Sequence, residues 1–174
     1  MREPSPCALV ADENLAMHVE NVLMSSQGPI VMLAPKNGGA VSERVLPIFI
    51  DQTQALNIQL ALEGQLSPRP MTHDLFSQVL NELGAIVEKV VIEELTQNTF
   101  YASLYIQVEK GDKANVRRFD ARPSDCIALA VRVGAPIEVT PRLMAQASIP
   151  RKDVGPLPPA EDDDDDDEGL GVSR

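Results

Sequence analysis

The chain has 174 residues, enough for one domain with a hydrophobic core, and its 44% hydrophobic and 24% charged residues are ordinary for a soluble globular protein. Aromatic residues make up only 3% and Trp is absent, which argues against a protein that binds single strands by stacking bases on exposed rings. The formal net charge is −11, but eight consecutive acidic residues at 161–168 lie in the last segment, and residues 1–160 carry only −4. Any contact with nucleic acid would therefore require a local basic patch.

The use of cysteine and histidine excludes a disulfide framework and a zinc site. Cys7 and Cys126 are the only cysteines, and Cys126 begins an apolar helix face where a small buried side chain is expected. The N-terminus lacks the apolar segment of a signal peptide, and no apolar run reaches the length of a membrane span. We therefore expect a soluble, cytoplasmic protein with reduced thiols and no membrane partner.

The first half of the chain predicts three strands followed by helices. The strands are expected at residues 17–23, 29–33 and 41–50. Residues 36–39, Lys-Asn-Gly-Gly, are typical of a tight hairpin turn, and Pro47 indicates that the third strand has an open edge or a bulge. A helix is predicted at 52–63, with Asp51 as its N-cap and Gln54 completing a capping box.

A second helix is predicted from its N-cap Thr72 to the stop at Gly84. Its apolar residues recur at helical spacing, so we expect them to be buried together against the core. These residues are Leu75, Phe76, Val79, Leu80 and Leu83.

The second half of the chain repeats this order. Strands are expected at 86–95, 99–109 and 116–121, helices at 124–133 and 142–147, and a short extended segment at 136–139. A shift of 71 residues superposes the helix starts, which indicates an internal duplication; a coincidence of two amphipathic helices is the alternative. A duplication would bring Asp51 and Gln54 close to Asp120 and Asp125.

We predict an α+β fold, a single domain built from two repeats of three strands and two helices. The domain is expected over 16–148, after an N-terminal extension at 1–15. Residues 149–174 are rich in Pro and then acidic, and are predicted to be a disordered tail. Solubility is the simplest role for this tail; the alternatives are a nucleic-acid mimic that competes for the protein's own basic site and a lure for basic partners.

The densest polar segment is 120–125, Asp-Ala-Arg-Pro-Ser-Asp, where a predicted strand meets a predicted helix. A helix N-terminus offers free N–H groups and a positive dipole end, and Arg122 adds a planar cationic donor, so this junction suits a phosphate. Residues 110–122 carry five cations and two acids, a local charge of +3. The alternative is an ordinary helix cap in which Arg122 pairs with Asp120.

A second polar segment is 69–74, Arg-Pro-Met-Thr-His-Asp, at the start of the other helix. His73 has the residue type of a general acid or base near neutral pH, and Asp74 could orient it or hold a cation. The alternative is that Thr72 and Asp74 only cap the helix and that His73 is an exposed polar residue. Convergence of this segment with 120–125 in space would favour the functional interpretation.

Five segments, in order along the chain, resemble the bifunctional nuclease (BFN) domain family. They are RVLPIFI at 44–50, ALEG at 61–64, RPMTHDL at 69–75, FYA at 100–102 and DARPSDCIALA at 120–130. The resemblance extends over residues 17–147. Phosphate-binding glycine loops, Gly-x-Ser-x-Gly elbows and His-Glu-x-x-His zinc motifs are absent from the sequence.

The resemblance implies a compact domain of two strand-and-helix repeats around a curved, barrel-like sheet, and an activity that hydrolyses both RNA and DNA. Polar positions that recur in the family fall on Arg69, Thr72, His73, Asp74, Asp120, Arg122, Ser124 and Asp125. One departure is Gln54, where relatives usually carry Glu. A metal ligand or base at that position would be lost, with Asp51 as the nearest alternative carboxylate.

These considerations define the hypothetical site. The catalytic candidates are His73, Asp74, Asp120 and Asp125, and the substrate-binding candidates are Arg69, Arg117, Arg118, Arg122 and Ser124. Asp120 and Asp125, with Asp74 nearby, have the oxygen ligands that Mg²⁺ prefers, and Mg²⁺ would activate water and stabilise the leaving group.

The predicted function is a metal-assisted nuclease that takes RNA and DNA as substrates. Exposed strand edges and an aliphatic face make a homodimer an additional expectation. The alternative is a non-enzymatic binding or regulatory module on the same fold. The mild negative charge, the missing Glu at position 54 and the scarcity of aromatics favour that alternative.

Overall fold

The computed structural model describes residues 13–38, 40–65, 67–110 and 113–154. The predicted tail from residue 155 onward, residues 1–12 of the predicted extension and the turn at 111–112 lie outside these ranges, as do the side chains of Lys110 and Lys113.

The described chain forms eight strands and four helices in an α+β arrangement, which confirms the predicted class. The strands are β1 (Leu15–Ser25), β2 (Gly28–Pro35), β3 (Arg44–Phe49), β4 (Ala85–Thr96), β5 (Thr99–Lys110), β6 (Lys113–Ala121), β7 (Ile137–Val139) and β8 (Ile149–Pro150). The helices are α1 (Gln52–Leu62), α2 (Thr72–Glu82), α3 (Pro123–Val133) and α4 (Pro141–Ala147). Short 3₁₀ helices lie at Ala40–Glu43 and Arg151–Asp153.

All eight strands belong to one sheet with the order β6-β5-β4-β7-β1-β2-β3-β8. Strands β1–β3 and β4–β6 are antiparallel meanders, and β7 joins them by pairing antiparallel with β1 and parallel with β4. The sheet is open, with β6 and β8 at its edges, and does not close into the barrel that the sequence analysis expected. The internal duplication stays a prediction.

Pro47 lies at an edge of the sheet, as predicted. Strand β8 pairs with β3 only at Arg44 and Val45, and Pro47 lies beyond this short ladder. A residue without an N–H is tolerated where no neighbouring strand needs its donor.

The connection between β2 and β3 differs from the predicted tight hairpin at 36–39. The β2–β3 ladder runs from Ile30 and Phe49 to Leu33 and Leu46, so twelve residues separate the last paired positions. The end of β2 instead continues along β1, and the 3₁₀ helix at Ala40–Glu43 returns the chain to β3.

The core lies between the helices and one face of the sheet. On β5, Ala102 and Ile106 are buried and Tyr101 is exposed, which confirms the predicted alternation. Ser103 is also buried, because the Arg118 side chain lies over it and its Nε donates a 2.7 Å hydrogen bond to the Ser103 Oγ.

A smaller apolar cluster on the other face corrects the predicted start of the tail. Met32, Ala34 and Val45 are buried there, and Ile149 and Val154 pack against them. Residues 149–154 therefore form β8 and a 3₁₀ helix where the sequence predicted disorder. Burial of these apolar side chains outweighs the local effect of Pro150, which sits on an edge strand.

Helix α2 does not bury its predicted apolar face. Leu75, Phe76, Val79 and Leu83 are all exposed, and only Leu80 packs partly against the core. The predicted burial of this face is wrong for the described chain. The helix turns its polar side inward because its first turn makes hydrogen-bonded contacts with α3, as shown below.

No helix in the described residues has both the length and the apolar character needed to cross a membrane.

Candidate active site

Three helices begin near one another, and the two predicted polar segments meet there. His73, in the first turn of α2, has its Nε2 3.1 Å from Oδ1 of Asp125, in the first turn of α3. Gln54, in the first turn of α1, lines a pocket together with Ser124 of α3. The structure therefore has the spatial convergence that favours a functional interpretation of both segments.

The carboxylate of Asp125 is shared by two neighbours. Its Oδ2 accepts a hydrogen bond from Nε of Arg122 at 2.8 Å, and its Oδ1 accepts from Nη2 of Arg122 at 3.3 Å and faces His73. Arg122 therefore pairs with Asp125, and the alternative pairing with Asp120 is wrong. Because 68% of the Arg122 side chain is exposed, the pair orients the guanidinium while leaving much of it open to solvent.

Two opposing effects set the pKa of Asp125. Partial burial acts to raise the pKa, but the hydrogen bonds and positive charges of Arg122 and His73 outweigh burial and lower the pKa below its usual value. Asp125 is therefore a carboxylate at neutral pH and a weak proton acceptor.

Both ring nitrogens of His73 face protein. Nε2 contacts Asp125, while Nδ1 is buried and has no hydrogen-bond partner among the residues that the structure describes. The ring therefore contacts Asp125 through Nε2, and its unpaired Nδ1 is shielded from solvent. The predicted role of His73 as a general acid or base stays a prediction.

The start of α2 also differs from the prediction. Met71 occupies the N-cap position and donates its backbone N–H to Oδ2 of Asp74 at 2.9 Å. Thr72 is the first helical residue, so its predicted role as N-cap is wrong. The Asp74 carboxylate, at position N3, accepts the N-cap N–H as the N3 residue of a capping box does.

Arg132 in the last turn of α3 is a central residue that the sequence analysis missed. Its Nε donates to Oδ1 of Asp74 at 2.7 Å, and its Nη1 donates to the carbonyl oxygens of Asn57 at 3.0 Å and Ala128 at 3.1 Å. Only 8% of its side chain is exposed, so this cation holds α1, α2 and α3 together. Its position two helical turns after Asp125 places both on one helix face, and this spacing is the signal that could have identified it.

A pocket of about 230 Å³ lies beside Arg122. Gln54, Asn98 and Ser124 give it polar walls, and Phe49 and Phe100 give it aromatic ones. The N-terminus of α3 contributes the positive end of a helix dipole. The pocket therefore combines a cationic side, hydrogen-bonding groups and an apolar surface.

The remaining predicted site residues are more dispersed. Arg117 and Arg118 are consecutive on β6, so their side chains point to opposite faces of the strand. Arg118 is engaged by Glu93 at 2.6 Å. Arg69, Arg117 and Asp120 are exposed and have no ion-pair partner within the described ranges.

The family model for the bifunctional nuclease domain matches residues 31–152, well over half of the chain. The chain belongs to the bifunctional nuclease domain family. Two uncharacterised proteins of Mycobacterium tuberculosis, from strains CDC 1551 / Oshkosh and ATCC 25618 / H37Rv, are each 40% identical over 121 residues, 70% of this chain and 67% of theirs.

Plant relatives bear the family name. Bifunctional nuclease 2 of Oryza sativa subsp. japonica is 29% identical over 119 residues, which cover 68% of this chain and 35% of the rice protein. Bifunctional nuclease 2 of Arabidopsis thaliana is 30% identical over 95 residues, 55% of this chain and 29% of that protein. The match therefore spans about a third of each plant protein.

Gln54, where the resemblance implies Glu in relatives, has a structural role in this chain. Its Oε1 accepts from the backbone N–H of Asp51 at 3.1 Å, and its own N–H donates to Oδ1 of Asp51 at 2.8 Å. This confirms the predicted capping box at the start of α1. Gln and Glu both serve in such a box, so the local fold tolerates either residue.

The predicted Mg²⁺ site at Asp120 and Asp125 stays a prediction for this bifunctional nuclease domain. The described residues contain no group of three His, Cys, Asp or Glu side chains placed to hold a metal ion. Asp125 already accepts hydrogen bonds from Arg122, and Asp74 accepts them from Arg132.

Cys126 is buried next to the site and is not a nucleophile. Burial, together with the negative charges of Asp125 and Asp120, raises the pKa of its thiol to about 12. The expected role as a small buried side chain is confirmed.

We expect the Asp74–Arg132 ion pair to matter for stability. Asp74→Ala should lower the free energy of unfolding by about 3 kcal/mol, because it leaves the largely buried Arg132 without its carboxylate partner. Urea unfolding of both proteins measures the difference. Glu20→Ala is the control, since it removes the partner of the more exposed Arg151 and should cost at most about 1 kcal/mol. Equal losses in the two variants would contradict the assignment.

Acid should destabilise the domain because it protonates the carboxylate of Asp74. For Asp74, burial acts to raise the pKa, but the hydrogen bonds from Arg132 and the Met71 N–H lower it below 3.8. A depressed folded-state pKa contributes stability that is complete above the unfolded-state value and is lost as the pH falls through the folded-state value. We therefore expect the free energy of unfolding to decrease as the pH drops below about 4. This decrease should be shallower in Asp74→Asn, which lacks the titrating carboxylate. Urea unfolding across that range tests this, and identical slopes in both proteins would refute it.

Proposed function

We propose that this chain is a nuclease that hydrolyses phosphodiester bonds of RNA and DNA at the pocket beside Arg122. The observation that carries the proposal is the state of Arg122, which is 68% exposed yet oriented by the carboxylate of Asp125 at the start of α3. Membership of the bifunctional nuclease domain family and the names of the plant relatives support the same class of reaction.

Arg122 is the proposed phosphate-binding residue. Its planar guanidinium can donate two parallel hydrogen bonds to phosphate oxygens, and the positive end of the α3 dipole favours an anion at the same place. Phe49 and Phe100 in the adjoining pocket offer apolar surface for a nucleobase. A nucleotide unit would thus be held at its phosphate and at its base.

Asp125 and His73 keep Arg122 in its binding orientation. Asp125 accepts from two guanidinium nitrogens, and His73 of α2 braces the Asp125 oxygen that faces it. The Asp74–Arg132 pair secures α2 against α3 beneath them. In this proposal three of the four predicted catalytic residues, His73, Asp74 and Asp125, position the site.

Asp120 is the proposed general base. It is exposed near the end of β6, two residues before Arg122, and has no ion-pair partner in the part of the chain that the structure describes. Its oxygens are therefore available to orient a water molecule and to accept its proton. Asp125 is less suited to this role because its carboxylate is occupied and its pKa is lowered.

The flanking arginines extend the proposed binding surface. Arg69 and Arg117 are exposed and are proposed to contact phosphates along the strand, while Arg118 contributes less because Glu93 engages it. Ser124 lines the pocket and adds a polar group near the bound phosphate. A cytoplasmic location is part of the proposal.

The first test is cleavage of labelled single-stranded RNA and DNA by the purified protein. Arg122→Ala should lower kcat/KM by about 10²–10³, and Arg122→Lys should restore only part of it, because Lys cannot donate in a planar, bidentate fashion. Arg151→Ala is the matched control, since Arg151 is also an exposed arginine paired with one carboxylate. Its activity should equal that of the unaltered protein.

Cleavage that persists in Arg122→Ala would place the reaction elsewhere. Binding without cleavage, weakened by Arg122→Ala and by salt, would favour the binding-module alternative. Parallel reactions with Mg²⁺ and with EDTA test the predicted metal assistance separately, because a cation can also arrive with the substrate phosphate.

A second test separates the base from the residues that position Arg122. Asp120→Asn should lower kcat by about 10²–10⁴ with little change in KM, as expected for a proton acceptor. Asp125→Asn should mainly raise KM, because it loosens the phosphate-binding guanidinium. Steady-state kinetics on one oligonucleotide measure both parameters. Unaltered kcat in Asp120→Asn would remove Asp120 from the mechanism.

A further inference from the structure

A second pocket lies between the end of α1 and the middle of α2. Its volume is about 380 Å³, and it shares no lining residue with the pocket beside Arg122. Leu60, Ala61 and Pro70 give it apolar walls, and the largely buried Arg132 of α3 also lines it. We call this cavity the α1–α2 pocket, and its size is within the range of pockets that hold small organic molecules.

Arg132 leaves one of its donor groups unused. Its Nε donates to Asp74 and its Nη1 to the carbonyl oxygens of Asn57 and Ala128, whereas Nη2 has no acceptor among the residues that the structure describes. Buried guanidinium groups normally have partners for their N–H groups. A ligand atom in the α1–α2 pocket that accepts a hydrogen bond would supply the missing partner.

Helix α2 contributes mainly acceptors to the same pocket. An ionised carboxylate has about four lone-pair positions, and Asp74 uses one on each oxygen, for Arg132 and for the Met71 N–H. The Ser77 Oγ donates its proton to the His73 carbonyl at 2.8 Å, so only its lone pairs remain for a ligand. Both side chains line the pocket, which therefore offers one strong donor beside several acceptors.

This set of donors and acceptors selects a class of ligand. A phosphate or carboxylate carries acceptors only and would face the oxygens of Asp74 and Ser77 without a hydrogen between them. A cation gains little, because Arg132 already neutralises Asp74. Two neighbouring hydroxyl groups can donate to these oxygens and accept from Nη2 of Arg132 at the same time.

We propose that the α1–α2 pocket binds the vicinal 2′- and 3′-hydroxyls of a ribonucleoside. The apolar walls of Leu60 and Pro70 would contact the sugar ring and the base. Free ribonucleosides and the 3′ end of an RNA chain both carry this diol. A ribose inside a chain has only its 2′-hydroxyl free, and a deoxyribose lacks the pair altogether.

The inference deepens the proposed function. Arg132 follows Asp125 by two helical turns, roughly 10 Å along α3, so a strand whose end lies in the α1–α2 pocket reaches Arg122 within a few nucleotides. Nucleoside binding requires no cleavage, however, so it can succeed or fail independently of the nuclease activity.

The first test is a titration of the ¹⁵N-labelled full chain with adenosine, followed by NMR. The amides of Gly64, Ser77 and Gln78 should shift in a saturable way, because these residues line the pocket. We expect 2′-deoxyadenosine and 3′-deoxyadenosine each to bind about tenfold more weakly, because each lacks a hydroxyl that pairs with the site. Arg122→Ala should bind adenosine as tightly as the unaltered chain, which separates this site from the proposed cleavage site.

Competition distinguishes the two sources of the diol. Displacement of adenosine by a short RNA with a free 3′ end, and not by the same RNA with a 3′-phosphate, would assign the pocket to RNA ends. Displacement by neither RNA would assign it to free nucleosides.

Two variants test the location without touching the Asp74–Arg132 pair. Ala61→Leu should fill the pocket and abolish the adenosine-induced shifts, and Ser77→Ala should weaken binding by about three- to tenfold, through loss of one hydrogen bond. Ala145→Leu is the matched control, because it narrows a different pocket of about 310 Å³ at α4 and should leave binding unchanged. The amide spectrum of each variant verifies that it is folded.

Three results would overturn the proposal. They are the absence of shifts at the α1–α2 pocket in the unaltered chain, equal affinity for adenosine and 2′-deoxyadenosine, and unchanged adenosine binding in a folded Ala61→Leu variant.

Discussion

The carboxylate of Asp125 is the contact on which the arrangement of the site depends. It orients Arg122 on one side and receives His73 on the other, so it connects the entry of α3 with the first turn of α2. Helix α2 has no fully buried side chain, and its place is therefore determined more by this polar contact and by the Asp74–Arg132 pair than by apolar packing. Polar contacts of this kind are directional, which suits a site that must hold one guanidinium in one orientation.

Local sequence signals predicted much of the fold because they act within a few residues. The capping box of Asp51 and Gln54 and the alternation along β5 depend on side chains near one another in the chain, and both are present in the structure. The place of β7 between the two meanders and the existence of β8 depend on partners more than forty residues away. No local pattern specifies such pairings, so they could not be predicted from this sequence.

The candidate site shows the same division. Residues 69–74 and 120–125 were recognisable as helix entries with unusual polar content, yet only the fold could bring His73 to Asp125. Arg132 was not predicted, because a cation at the end of a helix is common and does not by itself indicate a site. Its buried ion pair with Asp74 depends on the tertiary packing of α2 against α3. Helical periodicity correctly grouped Leu75, Phe76 and Val79 on one face, but periodicity does not specify which object that face meets.

The central position of β7 has a consequence for biogenesis. Within the described chain, this three-residue strand supplies the hydrogen-bonded link between the two meanders, and it lies late in the chain. During synthesis the first meander is complete by residue 49, but the edge of β1 finds its partner only after Ile137–Val139 has emerged. An unpaired strand edge is a template for association with other chains. The edge of β1 therefore lacks its partner strand until late in synthesis, and shielding of that edge would matter most before β7 has emerged.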